Sequence, residues 1–494
     1  MNKIRTQLDT LTEPDIIDFI KTYEAEVVPK YDKLWQYYLG KNTTILDKRS
    51  PDPNNPDNRT PVSYGRKIIT TFTGYAYRPR YITYKSENQR LLDELQVTFN
   101  ENNEHIKTSL NGRNTGIFGV SYELIYIDES RKTKKPEAKF AIIDPRQMIL
   151  LYDYSLEEQK KAAIRFYPVG DELWKVTVYY PDRVVSYDMA RTKWGSIEKL
   201  TLTGDEPNFF GEIPVIAYYL GQEAQGIIEP VMPLIDDYDL LISDSMNEFD
   251  RFAHAYLLLV KMSLSDQVKS SAPGVFKSAL SLLKQRRVFE QLPDKDAVSF
   301  LTKDIPTDYI KFMTELIKEQ IHTQSHVPDL GSSAFKDGVS GVAIQRLMFD
   351  FENVVSNAEA EFDTGLYDRI RLITVFYGLT NRADGDFDEI TISHKRNAPL
   401  NLKEFADTAL TMSQTGFSRY LIADIMPDDI IPDVEQELER QDEDREAAMP
   451  DIEDIPDVNE EKQNKNPVDQ KQLERENIAL AKRMQWSRAD INKV

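Results

Sequence analysis

Residues 342–377 read VAIQRLMFDFENVVSNAEAEFDTGLYDRIRLITVFY. Ile344, Leu347, Met348, Phe351, Val354, Val355, Ala358, Phe362, Leu366, Ile370, Ile373 and Tyr377 recur at spacings of three and four, the repeat of an apolar stripe along an α-helix. The stripe predicts one long helix over 342–377, with Gly365 a point where it can bend. A helix of that length with one apolar face needs something to cover it, and the flanking sequence shows what is available.

Immediately upstream, 329–341 holds three glycines and three serines and reads as a flexible loop. Before it, 308–327 returns to helical spacing through Ile310, Met313, Leu316, Ile317 and Ile321, opened by Pro306 and Thr307 and stopped by Pro328. Residues 228–260 are helical over most of their length, through Leu234, Tyr238, Leu241, Ile242, Met246, Phe249, Phe252, Ala253, Tyr256 and Leu257. At about 1.5 Å per residue the part from Leu234 to Val260 would span roughly 40 Å. The stretch 261–304 between these helices is compact, with Pro273, Gly274 and Pro293, a predicted short helix over 276–285 and strands over 287–292 and 297–301. Two long helices therefore bracket a small insertion.

The N-terminal half is different in kind. Segment 13–39 predicts one or two amphipathic helices broken near Pro29, and 48–60 is a proline- and asparagine-rich loop. From about 61 to 226 a helix over 87–99 mixes with strands over 120–127, 139–142, 163–167, 174–180 and 183–188, the pattern of an α+β domain. Downstream, 389–393 alternates as a strand, and 402–415, 418–425 and 434–448 read as helices.

The chain has 494 residues, 61 Lys+Arg, 82 Asp+Glu and a formal net charge of −21. That balance argues against a protein that grips nucleic acid by coating its phosphates. Of the charge, −14 falls between 424 and 469, where 18 acidic residues meet four basic ones, so the C-terminal tail reads as acidic and largely disordered. The absence of cysteine excludes disulfides, thiolate metal sites and cysteine nucleophiles. No apolar run approaches the ~20 residues of a membrane span, and the N-terminus has no signal-peptide core.

The chemical motifs are weak. Gly40-Lys41-Asn42-Thr43 lacks the earlier glycine and the Ser/Thr of a phosphate loop. Asp384, Asp386 and Asp388 alternate like a calcium loop, but Glu389 stands at the glycine position, so an acidic turn is expected. His322 and His326 have a zinc-compatible spacing, yet Thr323 stands where a metalloprotease has its glutamate. No Ser-His-Asp arrangement or glycine-rich nucleotide fingerprint is present. These readings point to architecture rather than catalysis, with no cofactor and no metal, and long one-sided helices point to oligomerisation.

At this point the order of elements resembles the portal proteins of tailed bacteriophages, in the branch from siphophages of Gram-positive hosts. The likeness is carried by Tyr37-Tyr38-Leu39-Gly40-Lys41, Gly119-Val120-Ser121-Tyr122-Glu123-Leu124 and Phe210-Gly211-Glu212-Ile213-Pro214-Val215. Stronger still are Leu234-Ile235-Asp236-Asp237-Tyr238 with Ser243, Asp244 and Asn247, and Val339-Ser340-Gly341-Val342-Ala343. It covers about 12–432.

The resemblance implies an α+β portal fold that forms a dodecameric ring around a DNA channel at one capsid vertex. Its parts would be a wing over 1–226, a first stem helix over 227–260, a small α/β clip over 261–307, a second stem helix over 308–328 and a tunnel loop over 329–341. A long kinked helix with a wing strand would follow over 342–400, then a helical crown over 401–448 and an acidic tail over 449–494. The implied partners are further copies of the chain, the terminase, major capsid and scaffolding proteins, a head-completion or adaptor protein, and the double-stranded DNA that passes through, with no membrane. The implied location is the virion, with the host cytoplasm during assembly.

Charge assigns candidate roles within that frame. Asp236, Asp237, Asp244 and Glu248 would line the stem channel, where repulsion prevents adhesion of phosphate. The clip reverses sign, with eight cations against five acids over 261–304, and Lys277, Lys284, Arg286 and Arg287 would face the terminase or adaptor. In the tunnel loop Lys336 is the only cation and a candidate phosphate contact beside Phe335, Asp337 and Val339, unless it pairs with Asp337 or with Asp329 of a neighbour. Two other readings stand beside this one: a different helical virion component, which would lack the order of stem, clip, stem, loop and long helix, and a cytoplasmic enzyme acting on DNA or nucleotides.

Overall fold

Helix 13–26 starts where Thr12 and Asp15 cap each other: the Thr12 hydroxyl accepts from the Asp15 N–H and the Asp15 carboxylate accepts from the Thr12 N–H, behind Pro14. It is followed without a loop by Val28–Tyr38, the break falling at Val27 just before Pro29. The structure is a computed structural model that describes residues 3–48, 56–129, 134–193, 195–253, 256–259, 267–269, 276–278, 298–301, 307–332, 335, 341–396, 402–426, 430–431 and 434–448. It divides into a large unit up to residue 401 and a second unit from residue 402.

The large unit is α+β. A six-stranded sheet runs in the order Ile4–Arg5, Met148–Tyr152, Lys160–Pro168, Leu173–Tyr179, Arg183–Arg191, Ile197–Pro207. From Met148 onward it is an antiparallel meander, and only the N-terminal strand pairs in parallel. A three-stranded sheet places Val120–Glu129 between Val215–Tyr219 and Pro136–Ile143. Helices Tyr64–Ala76, Gln89–Asn102 and Glu104–Phe118 pack with it into one continuous core. The second unit holds helices Leu402–Gln414, Arg419–Asp424 and Val434–Ala448, the last two tied by the Arg419–Asp442 ion pair at 2.8 Å.

The long helix is Gly341–Thr380, 40 residues and about 60 Å at 1.5 Å per residue. It runs unbroken through Gly365, where the missing side chain serves close packing: a Cβ there would lie 2.5 Å from a ring atom of Tyr218. Its apolar stripe is covered as the spacing requires, with Phe351, Val355, Ala358, Phe362, Leu366, Ile370, Ile373 and Tyr377 all buried. In the middle of this apolar seam lies Arg369, fully buried. Its Nε and one terminal nitrogen donate to the two oxygens of Glu123 at 2.7 and 2.9 Å, and the other donates to Glu104 at 3.1 Å and to the Thr108 hydroxyl at 2.8 Å. Tyr218 donates to Glu123 at 3.1 Å, Asn111 donates to it at 2.9 Å, and Tyr84 donates to Glu104 at 2.8 Å. One guanidinium thus joins the long helix to helix Glu104–Phe118 and to the central strand, while strands Val215–Tyr219 and Ile82–Lys85 complete the network.

The structure departs from the sequence reading in several places, among them helix Tyr64–Ala76, where no helix was expected. Helix Glu104–Phe118 lies in a region read mainly as strands; its buried face is polar, with Thr108, Asn111, Asn114 and Thr115, so no apolar period betrays it. The helix expected to reach Val260 ends at Ala253, and Tyr256–Leu259 is a strand paired with Val298–Leu301, because a short run of leucines has no period of its own. Phe276–Ser278, expected to open a helix, pairs instead with Gln267–Lys269. The predicted strand over 287–292 lies outside the described residues.

Removing the Arg369 charge leaves two buried carboxylates facing each other. Arg369→Met is expected to destabilise the large unit by about 3–5 kcal/mol in denaturant unfolding. A loss below about 1 kcal/mol would show that Glu123 and Glu104 are satisfied without it.

Candidate functional site: the two stem helices and the root of the loop

Helices Met232–Ala253 and Thr307–Ser325 pack side by side at the point where the chain leaves the α+β body. Ile235 and Ile321 anchor them in the common core, and Tyr64, Tyr238 and His322 form an edge-to-face aromatic group between them. Away from that root both helices expose apolar side chains: Met246 and Phe249 on the first, Tyr309, Phe312 and Leu316 on the second. Phe249 is 62% exposed, Tyr309 61% and Phe312 59%, an unusual state for aromatic residues at helical spacing and one that calls for a partner.

The carboxylates assigned to the channel divide. Asp237 and Asp244 lie on the exposed face, and Glu248 is half-buried. Asp236 is turned inward, accepting from the Tyr37 hydroxyl and from Asn42 Nδ2, the latter at 2.9 Å. Asp239 beside it is fully buried; it accepts from Asn42 Nδ2 at 2.9 Å and from the Val62 N–H at 2.8 Å. Burial pushes the Asp239 carboxyl above its usual range, against these two donors. The stretch with the strongest family likeness thus spends Asp236 on holding the N-terminal segment. Asn42, the residue that disqualified the phosphate-loop reading, is the donor it holds.

The loop expected over 329–341 has a fixed root. Asp329 accepts from Lys67 of helix Tyr64–Ala76 at 2.7 Å and pairs with Lys318 of the second stem helix at 2.6 Å. Burial alone would raise its carboxyl, but hydrogen bonds from Lys318 and Lys67 hold it well below the carboxylate range. Asp329 is therefore engaged within its own chain by Lys67 and Lys318. His322, a candidate zinc ligand by spacing, is buried; its Nδ1 donates to the Val327 carbonyl at 2.8 Å, and its Nε2 faces the Lys67 ammonium at 3.5 Å. Burial lowers its proton affinity, the Val327 bond opposes this, and Lys67 adds to the lowering.

Phe335 is half-buried and packs on the core. Lys336, Asp337 and Val339 lie outside the described residues, as do Lys284, Arg286 and Arg287; Lys277 sits in strand Phe276–Ser278. Asp386, from the alternating aspartates, caps the short helix Phe387–Glu389 in a reciprocal pair with Glu389. Lys67 and Lys318 were not singled out in the sequence, and Asn42 was noted there only against a phosphate loop. Lys67 and Asn42 act through residues more than 180 positions away, so spacing carried no signal for their roles, and Lys318 acts through Asp329, across the end of the second stem helix.

The fold defines an α+β body bearing a long helix and a pair of helices with uncovered aromatic faces. A family model described as "Phage portal protein, SPP1 Gp6-like" matches residues 17–451, and the chain belongs to that family. It is 21% identical over 461 residues to the portal protein of Bacillus phage SPP1, covering 87% of this chain and 86% of that one. A solved structure described as "Neck of empty GTA particle computed with C6 symmetry" is similar at a TM-score of 0.39 and 10% identity, over 79% of this chain and 93% of that one. Proteins of this family are structural parts of the bacteriophage head-to-tail connector.

The loop root generates a pH dependence. Native His322 binds a proton less readily than the imidazole of the unfolded chain, whose value is about 6.5. Its contribution to stability is intact above that value and is lost as pH falls below it. Between pH 7.5 and 5.5 the thermal midpoint of the wild type should therefore fall more steeply than that of His322→Gln. Equal slopes would mean that the ring is not held neutral.

Proposed function

We propose that the chain assembles into a dodecameric ring whose central channel passes double-stranded DNA into and out of the capsid. The observation that carries this reading is the uncovered aromatic face of the two stem helices on a chain of the portal family. In a ring each subunit offers one face to one neighbour and a different face to the other, and Phe249, Tyr309 and Phe312 are the side chains such contacts would cover.

The parts follow the boundaries expected from the sequence: wing over 1–226, stem over 227–260 and 308–328, clip over 261–307, tunnel loop over 329–341, long helix and wing strand over 342–400, crown over 401–448. The helical part of the first stem stops at Ala253. Asp237 and Asp244, exposed on the first stem helix, are the carboxylates we assign to the channel wall with Glu248; Asp236 contributes charge from behind them. A wall of like charge keeps phosphate moving. Lys336 is the loop's phosphate contact, carried on a root that Asp329 fixes. The basic clip, with Lys277, Lys284, Arg286 and Arg287, receives the terminase during packaging and the adaptor afterwards. The role is structural: the ATPase supplies the energy, and the ring supplies the passage and the docking platform. Scaffolding and major capsid proteins are the partners on the shell side.

Electron microscopy with mass photometry should find rings with a central hole and a mass near twelve subunits. Phe312→Glu is expected to weaken association at least ten-fold, the scale of one lost hot-spot contact, with the unfolding midpoint of the subunit unchanged. Lys336→Glu should leave rings intact and reduce packaged DNA. A chain that stays monomeric even with scaffolding protein would return the reading to a different helical virion component.

A further inference from the structure

Beyond Ile235, from Asp236 to Asp250, the first stem helix has no fully buried apolar side chain; its buried residues there are Asp239 and Ser243. Its distal half must therefore be held to its own subunit by something other than apolar packing. Three acceptors on one face do so. The Val62 N–H donates to Asp239 Oδ1 at 2.8 Å, the Thr60 N–H to Ser243 Oγ at 3.0 Å and the Asn58 N–H to Asn247 Oδ1 at 2.6 Å. The Asn58 side chain continues the row to Asp250 Oδ2 at 2.6 Å.

The spacing explains why this works. Acceptors four residues apart on a helix are about 6 Å apart along its axis. Alternate N–H groups of an extended chain are separated by roughly 6.6 Å. An extended segment laid antiparallel to the helix thus meets one acceptor with every second N–H. Pro61 falls between two donors, at a position that gives nothing to the helix, whereas Pro56 stands where the next donor would be and, having no N–H, ends the row. Ser243 is used twice, since its hydroxyl also donates to the Asp239 carbonyl at 2.6 Å, which aims its lone pairs at Thr60.

We propose that 58–62 is a strap whose backbone is read by Asp239, Ser243 and Asn247, and that this strap fixes the position and register of the distal half of the first stem helix. Recognition of 58, 60 and 62 is through main-chain N–H groups, with the Asn58 side chain adding the contact to Asp250, so the Thr60 side chain is free to vary while the helix acceptors are not. The inference does not depend on ring formation, although in a ring the strap would set where Asp237 and Asp244 stand.

Hydrogen exchange by mass spectrometry on the full-length protein tests it. Thr60→Pro, which deletes one donor, should speed exchange of helix residues 239–250 about ten-fold, as expected for one buried hydrogen bond left unmade. Thr60→Ala, which keeps the donor, should leave that exchange unchanged. Ser243→Ala combined with Asn247→Ala removes acceptors without altering the strap and should reproduce the proline effect. Because the chain has no cysteine, a Thr60→Cys/Ser243→Cys pair can be oxidised alone, and should slow exchange in the helix until reductant is added. Equal exchange in Thr60→Pro and Thr60→Ala would overturn the proposal. So would a loss of protection spread evenly over the large unit in both the proline and the double-alanine proteins.

Discussion

A buried arginine decides how this molecule is put together. Arg369 lies in the middle of an otherwise apolar helix face with no exposure to water, and its charge is tolerable only because Glu123 and Glu104 come to it from two other elements. Since a buried charge without its partners is strongly disfavoured, the long helix has one acceptable rotation and one acceptable height against the three-stranded sheet. Apolar packing alone would have tolerated a slide by one turn; a bidentate guanidinium does not. Tyr218, which donates to Glu123 and also fills the space left by Gly365, reads the same register a second time.

With that helix placed, the other positions follow. The helix starts at Gly341, so the loop before it must span from the root at Asp329 to a fixed point. Asp329 is pinned by lysines from two helices, and His322 beneath it closes the end of the second stem helix through the Val327 carbonyl. The first stem helix is held differently, by a row of polar acceptors and a strap, which leaves its apolar side chains free for another subunit. Polar anchoring inside the subunit and apolar exposure outside it are what the proposed ring would require.

The legible part of the fold was the part written as period. The stripe over 342–377 gave the long helix to within a few residues, and the strands read at 163–167, 174–180 and 183–188 are three of those in the meander, whose pairing the sequence did not show. Helix Glu104–Phe118 was not legible, because its buried face carries threonine and asparagine whose partners include Glu123, Ser121 and Arg369 from other elements. Nor was the end of the first stem helix, because Tyr256–Leu259 becomes a strand only through its pairing with the distant Val298–Leu301. Of the site, the acidic run on the first stem helix was visible as composition, but which of its carboxylates face outward was not. Asp236 and Asp239 differ from Asp237 and Asp244 only in what the N-terminal segment brings to them.

The sequence by itself determined the order of elements, the charge of each part and the family, since apolar periodicity, net charge and short motifs are properties of the chain read along its length. Only the tertiary structure decided which ionisable groups are spent on the fold and which are left to act. The reason is physical. The state of Arg369, Asp239, His322 or Asp329 is fixed by burial and by polar partners, many of them far off in sequence. Such proximity does not exist until the core has formed.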